Sequence, residues 1–396
     1  MLPHKEGIQY KNLKPTSFVV GMDTDGIPMV GELAKYVHML VTGTTGSGKS
    51  AAVNAWLTSI CVHNDPSDIS ITWIDPKFVE AQPYAGMVFC PIPVVDTMSD
   101  AYGMLKFLTC EMDERLKKQA KVKAHNITEY NEWWESHQEE AKEMHFEKMK
   151  YLIVIIDEYN DMKMQVPEVE DEIIRIAQKA RAAGIHMIIA TQKATADVIS
   201  TTVRDNLPTR VCFLQKSNSA ASIMFGSEYQ GMSPTALQGY GDGIIQYTGC
   251  SNGKRIQTLF IDTQVDKKKG ELEPELTRIF NAFNERFKDS REHIIDYKSY
   301  VVQKEFCTWH KLTDEELEKL NAREDIKNFD ITKHERRKRP KGTFQTEYWW
   351  NDGYGDKFSA DGFLIDNKDV DRYPIGTPWS DVHIDKAGRS RMSRFV

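Results

Sequence analysis

Residues 43–50 form a glycine-rich loop that ends in a lysine and a serine, and they fit the pattern G-x-x-x-x-G-K-[ST]. Such a loop binds phosphate groups, because its glycines let backbone N–H groups turn inward and the next helix directs its positive end at the anion. The pattern predicts that Lys49 reaches the β- and γ-phosphates of ATP and that the Ser50 hydroxyl is a ligand of Mg²⁺. The predicted ATP-binding residues are Gly43, Thr44, Thr45, Gly46, Ser47, Gly48, Lys49, Ser50 and Ala51.

An acidic pair, Asp157-Glu158, directly follows an apolar segment of strand length. At such a position an aspartate holds Mg²⁺, and a glutamate can orient and deprotonate the water that attacks the γ-phosphate. Ser50 and Asp157 are therefore the predicted metal ligands, and Glu158 is the predicted general base. The pair could instead cap the next helix, since acidic residues are common in a first helical turn. Beside a phosphate-binding loop, hydrolysis is the better interpretation.

Gln192 ends a further apolar segment. Its amide could sense the γ-phosphate or position the attacking water, although it could also be an ordinary polar residue at a strand end. Ligands of α/β proteins bind at the carboxyl ends of parallel strands. Because polar residues follow four predicted strands, the sensor role is favoured.

The elements that must position these residues alternate between strands and helices. Each predicted strand is apolar along its length, which indicates an α/β fold with a mostly parallel sheet that is covered on both faces. A strand precedes the glycine-rich loop and a helix follows it, which is the context that phosphate binding requires. The predicted strands include Val37–Val41, Ile69–Ile74, Leu152–Ile156, His186–Ala190, Thr209–Leu214 and Gly243–Tyr247, and helices are expected over 50–61, 98–150, 168–182 and 272–289.

Composition excludes several classes of protein. The chain has 396 residues, 40% of them hydrophobic, a formal net charge of −7 and a pI near 5.9, which argues against a basic surface that coats nucleic acid. The six cysteines form no zinc-binding pattern. No apolar run approaches the roughly 20 residues that span a bilayer, and no signal peptide opens the chain. We therefore expect a cytoplasmic protein without direct membrane insertion.

Several longer motifs, in order along residues 18–265, resemble the FtsK/SpoIIIE family of DNA translocases. The resemblance rests on the glycine-rich loop and on Ile74-Asp-Pro-Lys77, Glu111-Met-Asp-Glu-Arg115, Asn126-Ile-Thr-Glu-Tyr-Asn131, Ile155-Ile-Asp-Glu-Tyr-Asn-Asp-Met162, Ala177-Gln-Lys-Ala-Arg-Ala-Ala-Gly-Ile-His186, Asn206-Leu-Pro-Thr-Arg210 and Gly239-Tyr-Gly-Asp242. It implies a RecA-like P-loop ATPase core that assembles as a homo-hexameric ring around double-stranded DNA.

The resemblance also assigns basic residues to roles beyond the nucleotide loop. An arginine from the neighbouring subunit completes the site in this family, and Arg181 occupies the matching position, with Arg175 as a second candidate. Lys193 and Arg204 match DNA-contacting positions. A third such position falls at Asn218, so the nearby Lys216 is the candidate there. Each of these could equally be a solvated surface residue.

The resemblance divides the chain into strands that lead into the motor (1–35), the motor (36–290) and an extension of uncertain fold (291–396). A basic run at 333–341 and Trp349-Trp350 could bind single-stranded nucleic acid or a protein partner, or form a solvated linker. The family's membrane helices and its winged-helix module are not recognisable. That absence favours a motor encoded by a phage or a mobile element.

The resulting expectation is an ATP-driven translocase that moves double-stranded DNA, for packaging or transfer of a genome. The alternative is a protein-export or coupling ATPase of the type VII secretion kind with the same motor fold. A protein that uses ATP only as a structural switch is the third interpretation.

Overall fold

A computed structural model describes residues 13–264 and 273–290, together with four short strands in 310–366. It has two compact units, Met1–Ala101 with Glu111–Ile295 and Tyr102–Cys110 with Asp296–Val396. The basic run at 333–341 lies outside the described residues, and the predicted boundaries at 35 and 290 stay a prediction. None of the helices in the described ranges has the length and apolar character needed to cross a bilayer.

The first unit is built on one nine-stranded sheet. Its strands are β1 Ser17–Met22, β2 Pro28–Glu32, β3 Met39–Thr42, β4 Ile69–Ile74, β5 Tyr151–Ile156, β6 Ile185–Thr191, β7 Thr209–Phe213, β8 Asp242–Tyr247 and β9 Cys250–Gln257. They lie in the order β2-β1-β9-β8-β7-β3-β6-β5-β4. The helices are α1 Leu33–Tyr36, α2 Lys49–Val62, α3 Met98–Lys121, α4 Ile127–Ser136, α5 Gln138–Glu143, α6 Tyr159–Gln165, α7 Val169–Lys179, α8 Thr201–Asn206, α9 Ser219–Phe225 and α10 Glu275–Arg286.

Strands β7, β3, β6, β5 and β4 are mutually parallel, so their carboxyl ends meet at one edge of the sheet. Almost every residue in them is buried, which confirms the expectation of a sheet covered on both faces. One face receives α2, most of which is buried, and the Trp56 indole donates to the carbonyl oxygen of Val20 in β1 at 2.9 Å. These strands and α2 position the loop at 43–50.

The other strands of this sheet, β8, β9, β1 and β2, are antiparallel. The sequence did not predict β9, because its residues Cys250-Ser-Asn-Gly-Lys-Arg-Ile-Gln257 lack an apolar run and most of them are exposed. A two-residue turn joins it to β8, and its second residue, Gly249, has φ 91°, a left-handed conformation that glycine adopts without strain.

Two predicted elements were wrong in extent. Val37 is not part of β3; it has φ 64° and ends the short helix α1. The predicted helical segment 98–150 is three helices, because Asn126 caps a new helix through its side chain, which accepts from the Glu129 amide. Helices α8 and α9 are short and were not predicted.

Two of the sequence motifs, Glu111–Arg115 and Asn126–Asn131, contact the backbone at the amino ends of β5 and β6. Arg115 is buried and donates to the carbonyl oxygens of Lys150 (2.6 Å) and Ala183 (3.0 Å). Asn131 exchanges two hydrogen bonds with the Met149 backbone. These motifs therefore stabilise the edge of the sheet opposite the glycine-rich loop.

The second unit contains a four-stranded antiparallel sheet in the order β10-β11-β12-β13. Its strands are β10 His310–Lys311, β11 Tyr348–Asn351, β12 Lys357–Ser359 and β13 Leu364–Asp366. Trp349 and Trp350 belong to β11 and pair with Ser359 and Phe358 of β12.

Candidate active site

The glycine-rich loop joins β3 to α2 and is held by neighbouring backbone on two sides. The amide and the hydroxyl of Thr44 both donate to the Leu214 carbonyl oxygen, at 3.1 and 3.0 Å. The Gly241 amide donates to the Ser47 carbonyl oxygen at 2.8 Å. Gly48 has φ 98°, and a Cβ there would lie 2.1 Å from the Gly241 nitrogen, so the close approach of the two loops requires glycine.

The loop encloses a cavity of about 270 Å³. It is lined by Gly43, Thr44, Thr45, Gly46, Gly48, Lys49, Ser50, Ala51, Glu80, Asp157 and Gln192. Within the described part of the chain, the amides of Thr45, Gly46 and Gly48 donate to no protein acceptor, and the buried Ser47 hydroxyl also has no partner. Free donors around a cavity at the start of a helix fit an anionic phosphate chain. Of the nine predicted ATP-binding residues, Ser47 is the one that does not line the cavity.

Lys49 and Asp157 form a largely buried ion pair beside this cavity. The Lys49 Nζ lies 2.8 Å from Asp157 Oδ1, and the two side chains are 8% and 14% exposed. Ser50 is in the first turn of α2, next to Lys49. Among the described residues no three His, Cys, Asp or Glu side chains cluster to hold a metal ion. Ser50 and Asp157 are oxygen donors of the type Mg²⁺ takes, and such sites commonly use one or two protein ligands together with substrate phosphates.

Glu158 is buried, and it is not among the residues that line the cavity. Its backbone is left-handed, with φ 55° and ψ 56°, which is uncommon for a residue with a Cβ and is typical of strained functional positions. Its Oε1 lies 3.4 Å from both the Thr191 hydroxyl and the backbone amide nitrogen of Gln192, at the end of β6. The predicted base is therefore adjacent to the cavity, with its carboxylate directed at the neighbouring strand.

Gln192 is exposed and lines the cavity, as its predicted role requires. Its Oε1 accepts from the Thr45 hydroxyl at 3.2 Å, which links the end of β6 to the glycine-rich loop. The carboxyl ends of β3, β5 and β6 thus bring together Lys49, Asp157, Glu158 and Gln192.

Glu80 lines the same cavity but was missed from the sequence. It follows β4 in a loop organised by the buried Asp75, whose carboxylate accepts from the amides of Lys77, Val79, Glu80 and Ala81 at 3.0–3.1 Å. Burial raises the pKa of Glu80, and the Asp157 charge adds to this, while hydrogen bonding from the Ser50 side chain and the Lys49 charge oppose it. The signal in the sequence was the position of Glu80, which follows β4. The carboxyl end of β4 lies at the same edge of the sheet as those of β3, β5 and β6.

Comparison with known proteins agrees with this geometry. Residues 9–196 match the FtsK/SpoIIIE family. This part of the chain belongs to that family. The DNA translocase FtsK of Pseudomonas syringae pv. tomato is 37% identical over 275 residues, 65% of this chain and 34% of the relative. The DNA translocase SftA of Bacillus subtilis is 36% identical over 258 residues, 64% of this chain and 26% of the relative. The chain thus spans about a third or less of these relatives.

Solved structures of P-loop ATPases share the fold. The pCW3 conjugation coupling protein TcpA, in a monomer form with ATPγS, has a TM-score of 0.52 and 22% identity over 69% of this chain and 72% of TcpA. EssC (ATPases 2 and 3) from Geobacillus thermodenitrificans has a TM-score of 0.57 and 18% identity over 69% of this chain and 50% of EssC. The predicted α/β fold with a RecA-like P-loop ATPase core is confirmed. Residues 9–196 contain the glycine-rich loop of the FtsK/SpoIIIE family, which implies nucleotide binding.

The arginines that the FtsK/SpoIIIE resemblance assigned to a neighbour's site lie away from the cavity of their own chain. Arg181 is exposed in the turn before β6, whereas the cavity is at the far end of that strand, roughly 20 Å away at about 3.3 Å per residue. Arg175 forms an ion pair with Asp113 on α3 at 2.8 Å. Neither arginine can complete the site within one chain.

The DNA-contacting residues predicted from the FtsK/SpoIIIE resemblance are more dispersed. Lys193 and Lys216 are exposed and follow β6 and β7, so both are at the carboxyl edge. Arg204, in α8, is partly buried, and its Nε lies 3.3 Å from Asp205 Oδ1. Asn218 accepts hydrogen bonds from the hydroxyls of Ser233 and Thr235, so its side chain joins the start of α9 to the segment 233–235.

Proposed function

We propose that this chain is the ATP-hydrolysing motor of a translocase that moves double-stranded DNA. One observation carries the proposal: a phosphate-binding loop, Asp157 and a polar strand-end residue converge on one cavity at the carboxyl edge of the sheet, with Glu158 adjacent to it. Similarity to proteins named DNA translocases supports DNA as the molecule that the motor moves.

Binding of ATP begins with the free amides of the loop, which donate hydrogen bonds to the phosphate oxygens. Lys49 exchanges its contact with Asp157 for the β- and γ-phosphates, which leaves the Asp157 carboxylate available. Ser50 and Asp157 would then hold Mg²⁺, which when bound neutralises charge on the phosphates.

Glu158 is the general base in this account. Because its carboxylate now contacts the end of β6, it has to turn toward the cavity to reach the attacking water. Gln192 is exposed at the cavity and orients that water or senses the γ-phosphate. The remaining positive charge comes from Arg181 of a neighbouring copy in a homo-hexameric ring, since a guanidinium stabilises charge on a transferring phosphoryl group.

Hydrolysis in successive subunits moves Lys193, Arg204 and Lys216 along the DNA backbone. Such contacts with phosphates give affinity and register but read no sequence. The motor comprises residues 36–290, entered through strands in 1–35, and 291–396 bind a protein partner or nucleic acid. We place the protein in the cytoplasm of a bacterium or of a phage-infected host, where it packages or transfers a phage or mobile-element genome.

The test is ATPase activity of the full chain with and without linear duplex DNA. We expect DNA to stimulate turnover, and Lys193→Ala with Arg204→Ala to reduce that stimulation while basal turnover remains. Lys254→Ala, which removes an exposed lysine on β9, is the matched control. Absence of stimulation in the wild type would contradict the proposal and favour the alternative, an export or coupling ATPase. Unchanged stimulation in the double variant would contradict the assignment of the DNA contacts.

A further inference from the structure

Tyr240 is an exposed aromatic residue in a strained turn, and the mechanism above does not use it. It is 88% exposed, the largest fraction among the exposed large hydrophobic residues in the described ranges. Its backbone has φ 52°, a left-handed conformation that is uncommon for a residue with a Cβ. The glycines on either side are also left-handed, with φ 80° at Gly239 and 90° at Gly241. Residues held in such conformations cluster at ligand-binding and active sites.

Hydrogen bonds to the backbone hold this turn, residues 239–241, in place. The Gln257 side-chain amide donates to the Tyr240 carbonyl oxygen at 2.8 Å. The Thr258 backbone amide donates to the Gly241 carbonyl oxygen at 2.9 Å. The contacts that fix the turn therefore do not use the Tyr240 ring, which is left available to a ligand.

The same turn packs directly against the glycine-rich loop. The Gly241 amide donates to the Ser47 carbonyl oxygen at 2.8 Å. A Cβ at Gly48 would lie 2.9 Å from the Tyr240 carbonyl carbon, so the Tyr240 backbone touches the residue that precedes Lys49. An aromatic side chain is thus attached to backbone that contacts the phosphate-binding loop itself.

The order of the strands places this turn on the side of the loop away from the γ-phosphate. Asp157 and Gln192 follow β5 and β6, whereas the turn leads into β8, and the strands lie in the order β8-β7-β3-β6-β5. The proposed function puts the γ-phosphate beside Asp157 and Gln192. The other end of the nucleotide, with its ribose and base, then leaves the loop toward β7 and β8, where Tyr240 lies.

We propose that Tyr240 binds the base of the nucleotide by stacking its ring on the adenine. Stacking of a base on an aromatic side chain typically raises affinity about 5- to 100-fold. A purine presents more ring surface than a pyrimidine, so the contact favours adenine over uracil. The inference rests on the proposed function in requiring that a nucleotide binds at this loop with its terminal phosphate toward β5 and β6. It does not depend on DNA or on a hexamer.

The experiment measures the affinity of the full chain for ADP, UDP and pyrophosphate by titration calorimetry in Mg²⁺. The three ligands share two phosphates and differ in the base or lack one. Tyr240→Gly and Tyr240→Asn remove the ring with residues that tolerate a left-handed backbone. We expect both to lower affinity for ADP about 5- to 100-fold, to lower affinity for UDP less, and to leave that for pyrophosphate within about twofold. Tyr240→Phe, which keeps the ring, should stay within about twofold of the wild type for all three ligands.

Ile27→Ala, which removes a 60% exposed apolar side chain between β1 and β2, is the matched control, and thermal melting establishes that each variant is folded. Equal losses of affinity for ADP and pyrophosphate would overturn the proposal, because Tyr240 would then act on the phosphate loop. Unchanged affinity for ADP would also overturn it, and a loss of DNA stimulation in that variant would make Tyr240 a DNA contact.

The same titrations distinguish failure of this inference from failure of the proposed function. If the wild type bound neither ADP nor pyrophosphate, both would be wrong. If the wild type bound ADP and the Tyr240 variants did too, with equal affinity, only the role of Tyr240 would be wrong. Because no DNA is present in the titrations, a failure of translocation does not affect their result.

Discussion

The two edges of the parallel sheet differ in how their polar groups are used. At the carboxyl edge, several loop amides and the Ser47 hydroxyl have no protein partner among the described residues, and Lys49 and Asp157 pair beside an open cavity. At the amino edge, Arg115 and Asn131 are committed to backbone groups of the same chain. Free groups beside a cavity are available to a ligand, whereas committed groups hold strands in place.

This difference explains why sequence motifs that point equally to the same family have different roles in the molecule. The loop at 43–50 and Asp157 place their groups around the cavity, and Glu158 lies adjacent to it. The segment from Glu111 to Arg115 ends in a buried guanidinium that binds two carbonyl oxygens at the opposite edge. Variants at the carboxyl edge should therefore lower activity, whereas variants at the amino edge should lower stability and leave nucleotide binding intact.

The largest effect is expected at the carboxyl edge, for Lys49→Ala. Loss of the ammonium that contacts the β- and γ-phosphates should lower ATP turnover by at least about 100-fold, and because it also leaves the largely buried Asp157 carboxylate unpaired, the melting temperature should fall as well. Phosphate release and thermal melting measure the two effects. Lys35→Ala, which removes an exposed lysine that pairs with Glu32, is the control. Normal turnover in Lys49→Ala would mean that this cavity is not the hydrolytic site.

Glu158→Gln should lower turnover about 10²- to 10⁴-fold and leave ATP binding intact, because the amide cannot accept the proton of the attacking water. Equilibrium binding of a fluorescent ATP analogue and single-turnover hydrolysis separate the two steps. If the variant hydrolyses ATP at the wild-type rate, the assignment of the base is wrong.

At the amino edge, Arg115→Met should act on stability instead. It removes hydrogen bonds to two backbone carbonyl oxygens and to Glu111 Oε1 (2.7 Å), which should lower the free energy of unfolding by roughly 2–4 kcal/mol. Nucleotide affinity of the folded protein should be unchanged. Lys117→Met, at an exposed site on the same helix, is the control in urea denaturation. If Arg115→Met lowered nucleotide affinity without lowering the free energy of unfolding, the two edges would not differ in the way described.

The smallest expected effect is a pH dependence of stability, which arises from two buried histidines at the amino edge. Burial lowers the pKa of His38 to about 3, with His186 contributing, and lowers that of His186 to about 4, with Arg181 contributing. The unfolded chain takes up these protons near pH 6.5 and the folded chain does not. Stability should therefore fall as the pH drops from 6.5 toward 4, by up to about 1.4 kcal/mol per pH unit for each histidine.

Urea denaturation at a series of pH values measures this slope. His38 accepts from the Met187 amide through Nδ1, and His186 Nδ1 bonds to the Val37 carbonyl oxygen. Asparagine can replace either contact, so His38→Asn with His186→Asn should flatten the slope. An equal slope in wild type and double variant would place the acid sensitivity elsewhere.

The sequence was sufficient where function depends on contiguous residues. The loop at 43–50, Asp157-Glu158 and Gln192 could be found because strand ends and motif spacing are local properties. Glu80 could not, since its place in the cavity depends on a turn that Asp75 builds from following amides. Strand β9 was missed because pairing with β8, and not apolar patterning, makes it a strand. The role proposed for Arg181 would depend on a neighbouring copy, which patterns within one chain do not describe.

The central claim is that ATP hydrolysis at the carboxyl edge drives this chain along duplex DNA. Displacement of a third strand from a linear duplex measures that motion directly. The account predicts ATP-dependent displacement by the wild type and none by Lys49→Ala or Glu158→Gln. ATP hydrolysis by the wild type without any displacement would contradict it.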